Sequence, residues 1–310
     1  MQTPKYLLHI ALLLLLLSSI LVQHAISDYI YPQRSFTTSI YVNENSVELK
    51  NGIDLSRNDL RGIRIYRYGE TQDDIELRNI NFNECNLSGA DFDETCFANC
   101  SFRSANLRGI RSYGYFKDCD FTDTIITGFM GEQIGKTIIG ISSEDIAKTR
   151  SFRFKELSNL VLFGELVGLD LSEFDLRNTF TKVRDCNLTD ASISGSRLTG
   201  MTREQLMTTK DFRSGELLNV QMYSMDISGL DLSHFNLTGC VFGSIRNLTD
   251  IADVNFTGAI ITKCNFWSTK GLTLDQIKST WNYKHGRMDG IKLPNEIQDA
   301  LDAEKEVSSE

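Results

Sequence analysis

From position 85 the chain reads CNLSGADFDETCFANCSFRSANL, with a large apolar residue at every fifth place. The series extends over Leu77, Phe82, Leu87, Phe92, Phe97, Phe102 and Leu107. Two places before each of these centres sits a mostly small residue: Ile75, Ile80, Cys85, Ala90, Thr95, Cys100 or Ala105. Two places after comes a residue suited to turns, such as Asn79, Gly89, Asn99, Ser104 or Gly109. A helix rotates about 100° per residue, and five residues rotate about 140°, which would spiral the centres around all its sides. A strand alternates faces with period two, so steps of five would scatter them as well. A chain that turns a corner every five residues keeps them together. Four corners close a square coil of about twenty residues, and successive coils stack as parallel strands about 4.8 Å apart. Fixed-period self-similarity of this kind predicts a solenoid.

The units ADF (90–92), ANL (105–107) and CNL (85–87 and 186–188) resemble the pentapeptide-repeat family, whose units read A(D/N)LXX. The resemblance implies an all-β fold, a right-handed quadrilateral parallel β-helix. Further units are CDF (119–121), ASI (191–193), CVF (240–242), VNF (254–256), GAI (258–260) and CNF (264–266). They add Phe121, Leu188, Phe242, Phe256 and Phe266 to the inward ladder of structural side chains. The phase slips by one residue between Leu107 and Phe121, which predicts a bulge or loop there.

A longer repeat overlies the short one. SSEDIAKTRSFRFKELSNLVL from 142, TREQLMTTKDFRSGELLNVQM from 202 and TLDQIKSTWNYKHGRMDGIKL from 273 align, with Thr149, Thr209 and Thr280 in register. Each opens on Ser or Thr with Asp or Gln three residues later, the signature of a capping box. Short helices are therefore expected near 142–149, 202–209 and 273–280, interrupting a solenoid that spans 51–294. They read as loop decorations that stop coils from slipping. Residues 28–50, rich in Tyr, Thr and Val, predict a strand-like N-terminal cap. Residues 295–310 predict a C-terminal helix, with Ile297, Ala300 and Leu301 on one face, fraying into an acidic tail.

The N-terminus changes the picture of where the protein works. Lys5 precedes an apolar run from Leu7 to Val22, and Ala25 and Ser27 sit at −3 and −1 of a cut after Ser27. This is the pattern of a secretory signal peptide over 1–27, and the run is short of the ~20 residues that a membrane span needs. The competing reading is an uncleaved membrane anchor; either way a secreted or cell-envelope location is expected, with no membrane span after cleavage.

Net charge is −9, becoming −10 once Lys5 leaves with the signal segment. That balance argues against a nucleic-acid groove, which needs a basic stripe. His9 and His24 belong to the signal segment, and the other two His, His234 at an expected corner and His285 in an expected loop, make neither a metal site nor a triad. MGEQIGKT (130–137) falls short of a phosphate loop because Met130 stands where the first Gly is needed. No cofactor is expected.

Six of the seven Cys occupy the small inward slot: Cys85, Cys100, Cys119, Cys186, Cys240 and Cys264. Counting faces stacks Cys119 over Cys100 and Cys264 over Cys240, as thiols that point the same way. Cys96 precedes a centre and is expected to be an exposed thiol. Six Asn-X-Ser/Thr sequons, at Asn86, Asn99, Asn187, Asn236, Asn247 and Asn255, follow from the repeat itself.

The functional expectation is an exported, non-enzymatic scaffold that binds a protein partner or itself through polar columns on its outer faces. The family resemblance also implies an alternative, an acidic DNA mimic that binds DNA gyrase. A polysaccharide-active β-helix enzyme is the third class, marked by longer triangular coils and a carboxylate cluster with a basic partner.

Overall fold

The computed structural model describes residues 38–42, 45–49, 51–66, 76–92, 95–112, 114–128, 141–244 and 247–308. The expected signal segment at 1–27 and the 130–137 stretch lie outside these residues. Two compact units divide the chain: Met1–Phe154 with Val161–Gly164, and Lys155–Leu160 with Glu165–Glu310.

In the first unit, β1 (Thr38–Val42) pairs antiparallel with β2 (Asn45–Leu49) and with β3 (Arg64–Tyr66). Beyond this cap every pairing is parallel and joins one coil to the next. Asn81, Asn86 and Asp91 bridge Ser101, Asn106 and Arg111, a repeat of 20 residues. β4 (Glu76–Arg78) pairs with β5 (Cys96–Ala98) at the same spacing. The coil below is longer, with Asp54, Asp59 and Arg64 bridging Asn81, Asn86 and Asp91, and its 7 additional residues fall between Tyr66 and Glu76.

The coil above is shorter. β5 meets β6 (Phe116–Lys117) with Phe97 opposite Phe116, a step of 19. The phase slip is therefore a shortcut and not the expected bulge. Gly114 makes it possible: a Cβ there would stand 1.8 Å from the Thr95 carbonyl oxygen, so only a glycine lets the backbone press so close.

Inside the unit the centres form columns of rings. Phe102 stacks between Phe82 (centroids 5.0 Å, 10°) and Phe121 (5.4 Å, 2°), while Phe97 stacks on Phe116 and meets Phe102 edge-on. Leu77, Phe82, Leu87, Phe92, Phe97, Phe102, Leu107 and Phe121 are at most 2% exposed. The unit also holds α1 (Ser143–Ala147) and α2 (Arg150–Arg153), and the strand β7 (Val161–Val167) follows them in the chain.

The second unit uses other coil lengths. Asp170, Asp175 and Phe180 pair with Asn187, Ser192 and Arg197, a step of 17, the last through β8 (Phe180–Arg184) and β9 (Arg197–Thr199). Left-handed corners fall here at Glu173, Asn178, Asp185 and Asp190, so this coil turns three times per circuit. In the first unit Asn79, Glu84 and Gly89 turn every five residues. A uniform four-sided coil thus does not describe 170–199. Further on, Asp226, Asp231, Asn236 and Val241 bridge Asp250, Asn255, Ile260 and Asn265, a step of 24. The enlargement holds an antiparallel hairpin of β10 (Gly243–Ser244) and β11 (Asn247–Asp250), and β11 then pairs parallel with β12 (Thr269–Lys270). Leu188, Phe242, Phe256 and Phe266 are buried, with Phe242 stacked on Phe266 at 4.7 Å. The GAI unit is displaced by one residue: Ile260 carries the bridge and Ile261 is the buried centre.

Helices α3 (Arg203–Thr208), α4 (Lys210–Ser214), α5 (Leu274–Ser279) and α6 (Trp281–Lys284) interrupt the coils. The chain closes on α7 (Asn295–Ser308), which buries Ile297 and Leu301 and ties Glu304 to Lys278. It stays helical through Ser308, where a frayed tail was expected.

Candidate interaction surface

The outward Asn and Asp that precede each centre do more than face solvent. Their side-chain oxygens accept the backbone N–H two residues on. Ser56 N donates to Asp54 (2.9 Å), Asn83 N to Asn81 (3.0 Å), Thr122 N to Asp120 (2.9 Å) and Ser233 N to Asp231 (3.0 Å). These Asx turns start the corner, and a left-handed residue completes it at Arg57, Glu84, Asp123 and His234. His234 is thus a corner residue, while His285 stacks on Trp281 at 4.3 Å. Where the acceptor is Asp, the bonds hold the carboxyl below its ordinary value. The hydroxyl and N–H of Ser172, Ser228 and Ser233 do so for Asp170, Asp226 and Asp231. The same groups bond coil to coil: Asn187 Nδ2 donates to Asp170 (2.9 Å), Asn236 Nδ2 to Glu216 (3.1 Å) and Asn255 Nδ2 to Asp231 (2.9 Å). Sequons at 187, 236 and 255 therefore spend their amide on the ladder.

Charge on the outer surface is interleaved. Arg57 pairs with Glu84, Arg61 with Asp59, Arg103 with Asp120, Arg177 with Asp175 and Lys270 with Asp250. Asp123 is the most engaged carboxylate. It takes Arg150 at 2.6 Å, Arg153 and the Ser104 hydroxyl at 3.1 Å, and the Arg150 bond above all brings its pKa down to about 2, against burial. Arg197 lies between the rings of Phe180 (4.5 Å) and Tyr223 (4.4 Å), and desolvation there lowers its pKa.

The three aligned stretches form one motif, with a second helix in each that the capping boxes alone do not announce. Each holds two helices, joined by Lys148 and Thr149 in the first stretch and by a single Thr in the other two. Ser142, Thr202 and Thr273 cap the first helix with complete capping boxes. Thr149, Thr209 and Thr280, all fully buried, cap the second, each donating its hydroxyl to the Ile146, Leu206 or Ile277 carbonyl at 2.7 Å. The next residue's N–H (Arg150, Lys210, Trp281) reaches the previous coil at Thr124, Ala191 or Ala259. One residue later, the Ser151, Asp211 or Asn282 side chain accepts the N–H of Ile126, Ile193 or Ile261. A side-chain oxygen thus replaces the carbonyl that a strand would have offered. The helix pair is one side of a coil, not a loop hung upon it. Ser/Asp/Asn two places after the shared Thr was the available signal.

The inward thiols donate to carbonyls of the coil below: Cys85 to Leu55 (2.7 Å), Cys240 to Leu217 (2.8 Å) and Cys264 to Leu237 (2.9 Å). Burial pushes Cys85 up to about 11 and Cys240 to about 12. Cys96 corrects the expectation of an exposed thiol: it is 1% exposed, because the shortcut through Gly114 lays backbone over Thr95 and Cys96. The one partly exposed thiol is Cys119. Among the described residues no cluster of three or more His, Cys, Asp or Glu could hold a metal ion, and no helix is long and apolar enough to cross a membrane.

A chain of stacked parallel coils with inward centres and cornering polar residues is a repeat protein of the β-helix class. Residues 73–109 match the family model of pentapeptide repeats, in eight copies. No curated protein matches the chain. Among solved structures, HetL, a pentapeptide repeat protein involved in heterocyst differentiation regulation from the cyanobacterium Nostoc sp. strain PCC 7120, is 16% identical. That match covers 72% of this chain and 92% of HetL, with a TM-score of 0.24. QnrB1, a plasmid-mediated fluoroquinolone resistance protein, is 17% identical over 82% of this chain and 96% of its own, with a TM-score of 0.19.

Proposed function

We propose that the protein is an exported, non-enzymatic scaffold that binds a protein partner through its outer faces. The observation that carries this reading is the division of labour along each unit. Inward places are filled by Leu, Phe and small residues, while outward places present polar side chains in registered columns. The 20-residue coils are taken as four-sided and right-handed, as the repeat family implies. Export rests on the Lys5, Leu7–Val22 and Ala25/Ser27 pattern. A DNA mimic that binds gyrase is favoured by the net charge of −9, but it calls for carboxylate columns left unpaired. The pairs Arg57–Glu84, Arg103–Asp120 and Lys270–Asp250 speak against that.

The test is capture of partners from extracellular or cell-envelope extract by the mature chain, beside Arg108→Glu and Lys117→Glu variants. A specific partner lost on charge reversal, with the unfolding midpoint unchanged, supports the scaffold. Turnover in a glycoside and ester substrate screen, abolished by changing one outward carboxylate, refutes it. Salt-sensitive inhibition of gyrase supercoiling would promote the mimic instead.

A further inference from the structure

Two pairs of stacked thiols occupy equivalent slots, and they differ in surroundings. Cys100 and Cys119 lie in neighbouring coils, flanked by the pairings Ala98–Lys117 and Ser101–Asp120 that hold those coils in register. Adjacent strands run about 4.8 Å apart, inside the Cα separation that a disulfide spans. Cys240 and Cys264 are stacked in the same way beside the Val241–Asn265 bridge.

The Cys240 and Cys264 thiols are fully buried and each donates a short bond, 2.8 and 2.9 Å, to a carbonyl. Cys100 and Cys119 have only loose carbonyl contacts, all at 3.5 Å, to Leu77, Ala98, Phe97 and Lys117. The Cys100 sulfur instead accepts the Ile80 N–H at 3.4 Å. The neighbouring Cys119 thiol, as a donor to the Cys100 thiolate, would lower the Cys100 pKa against burial. The same bond, with burial, raises that of Cys119. Cys119 is partly exposed, whereas Cys100 is 2% exposed.

We propose that Cys100 and Cys119 form an oxidisable pair, a site where a peroxide converts two stacked thiols into a disulfide clamp between consecutive coils. The Cys100 thiolate attacks one peroxide oxygen. The O–O bond breaks, hydroxide leaves and takes up a proton, and Cys100 becomes a sulfenic acid. The Cys119 sulfur then attacks the Cys100 sulfur, the S–O bond breaks, and water departs with the Cys119 proton. Two thiols and one peroxide give one disulfide and two waters. Hydrogen peroxide is the smallest oxidant of its class that such a site would admit, and the partly exposed Cys119 sits one coil above the buried Cys100 to resolve the intermediate. Cys240 and Cys264 lack both the stabilised thiolate and the access.

The experiment treats the folded full chain with hydrogen peroxide, alkylates it in denaturant and maps the thiols by mass spectrometry. The expected result is loss of two alkylatable thiols and a crosslinked Cys100–Cys119 peptide, with Cys240 and Cys264 still alkylated in full. In Cys119→Ser, checked for folding by circular dichroism, Cys100 should halt at a sulfenic acid trapped by a 1,3-diketone. Cys119→Ala, checked the same way, removes the donor as well and should trap less sulfenic acid than Cys119→Ser. Equal oxidation of both pairs, no oxidation of either, or further oxidation of Cys119 with Cys100 intact would each overturn the proposal.

Discussion

A buried threonine hydroxyl carries the helix pairs. Thr209 accepts the Phe212 N–H and donates to the Leu206 carbonyl, so Thr209→Val keeps the shape, takes the acceptor from the Phe212 N–H and leaves the Leu206 carbonyl with the Thr209 N–H alone. An expected loss of about 1–3 kcal/mol, read from urea unfolding, follows from leaving a buried polar group unpaired. Phe102, fully buried between two stacked rings, should cost about 3–5 kcal/mol on change to Ala. The exposed ion pair of Arg103 next to it contributes under about 1 kcal/mol. Asp123 titrates in the folded state near 2 instead of 3.8. A depressed folded pKa means the carboxylate stabilises the protein above the unfolded value, and that contribution disappears as pH falls from about 4 toward 2. Arg150→Ala should return the Asp123 pKa toward 3.8 in an NMR titration and flatten the acid limb of the stability curve. Native alkylation with a bulky maleimide should modify Cys119 and spare Cys96, since Cys96 is buried.

At the scale of elements, corners and shortcuts set the coil length. Gly114→Ala places a methyl group against the Thr95 carbonyl oxygen, and the coil must give way. A loss of at least about 1–3 kcal/mol is expected from such overpacking. Gly89→Ala, with open space around its Cβ, meets only the strain of φ +70° and should cost about 1 kcal/mol. Equal unfolding midpoints for the two variants would remove the shortcut from the account of the 19-residue coil. The helix pairs belong to this scale too. Each replaces a strand by supplying a Ser, Asp or Asn oxygen where a ladder carbonyl would stand, so the hydrogen-bond column continues through the interruption.

For the whole molecule, the interleaved charges predict a partner interface that tolerates salt better than a DNA mimic would, because few of the paired carboxylates are left to be screened. The export reading predicts a mature N-terminus at or near Asp28, measured by mass spectrometry of chain recovered outside the cytoplasm. Intact Met1 on a membrane-bound form would favour an uncleaved anchor.

The five-residue spacing was enough to reveal the solenoid class and the inward ladder. A corner forces one side chain per step to the interior, and burial of that residue is a local consequence of period. The capping boxes were legible for the same reason, since donor and acceptor lie three residues apart. Coil length was not legible. The 17-, 19-, 20- and 24-residue steps depend on how one coil meets the next, and that meeting joins residues far apart in the chain. The second helix of each pair, the burial of Cys96 under the Gly114 shortcut and the unequal chemistry of the two thiol pairs arise there as well. Period is written along the chain, whereas register between neighbouring coils is decided by contacts that exist only once they have stacked.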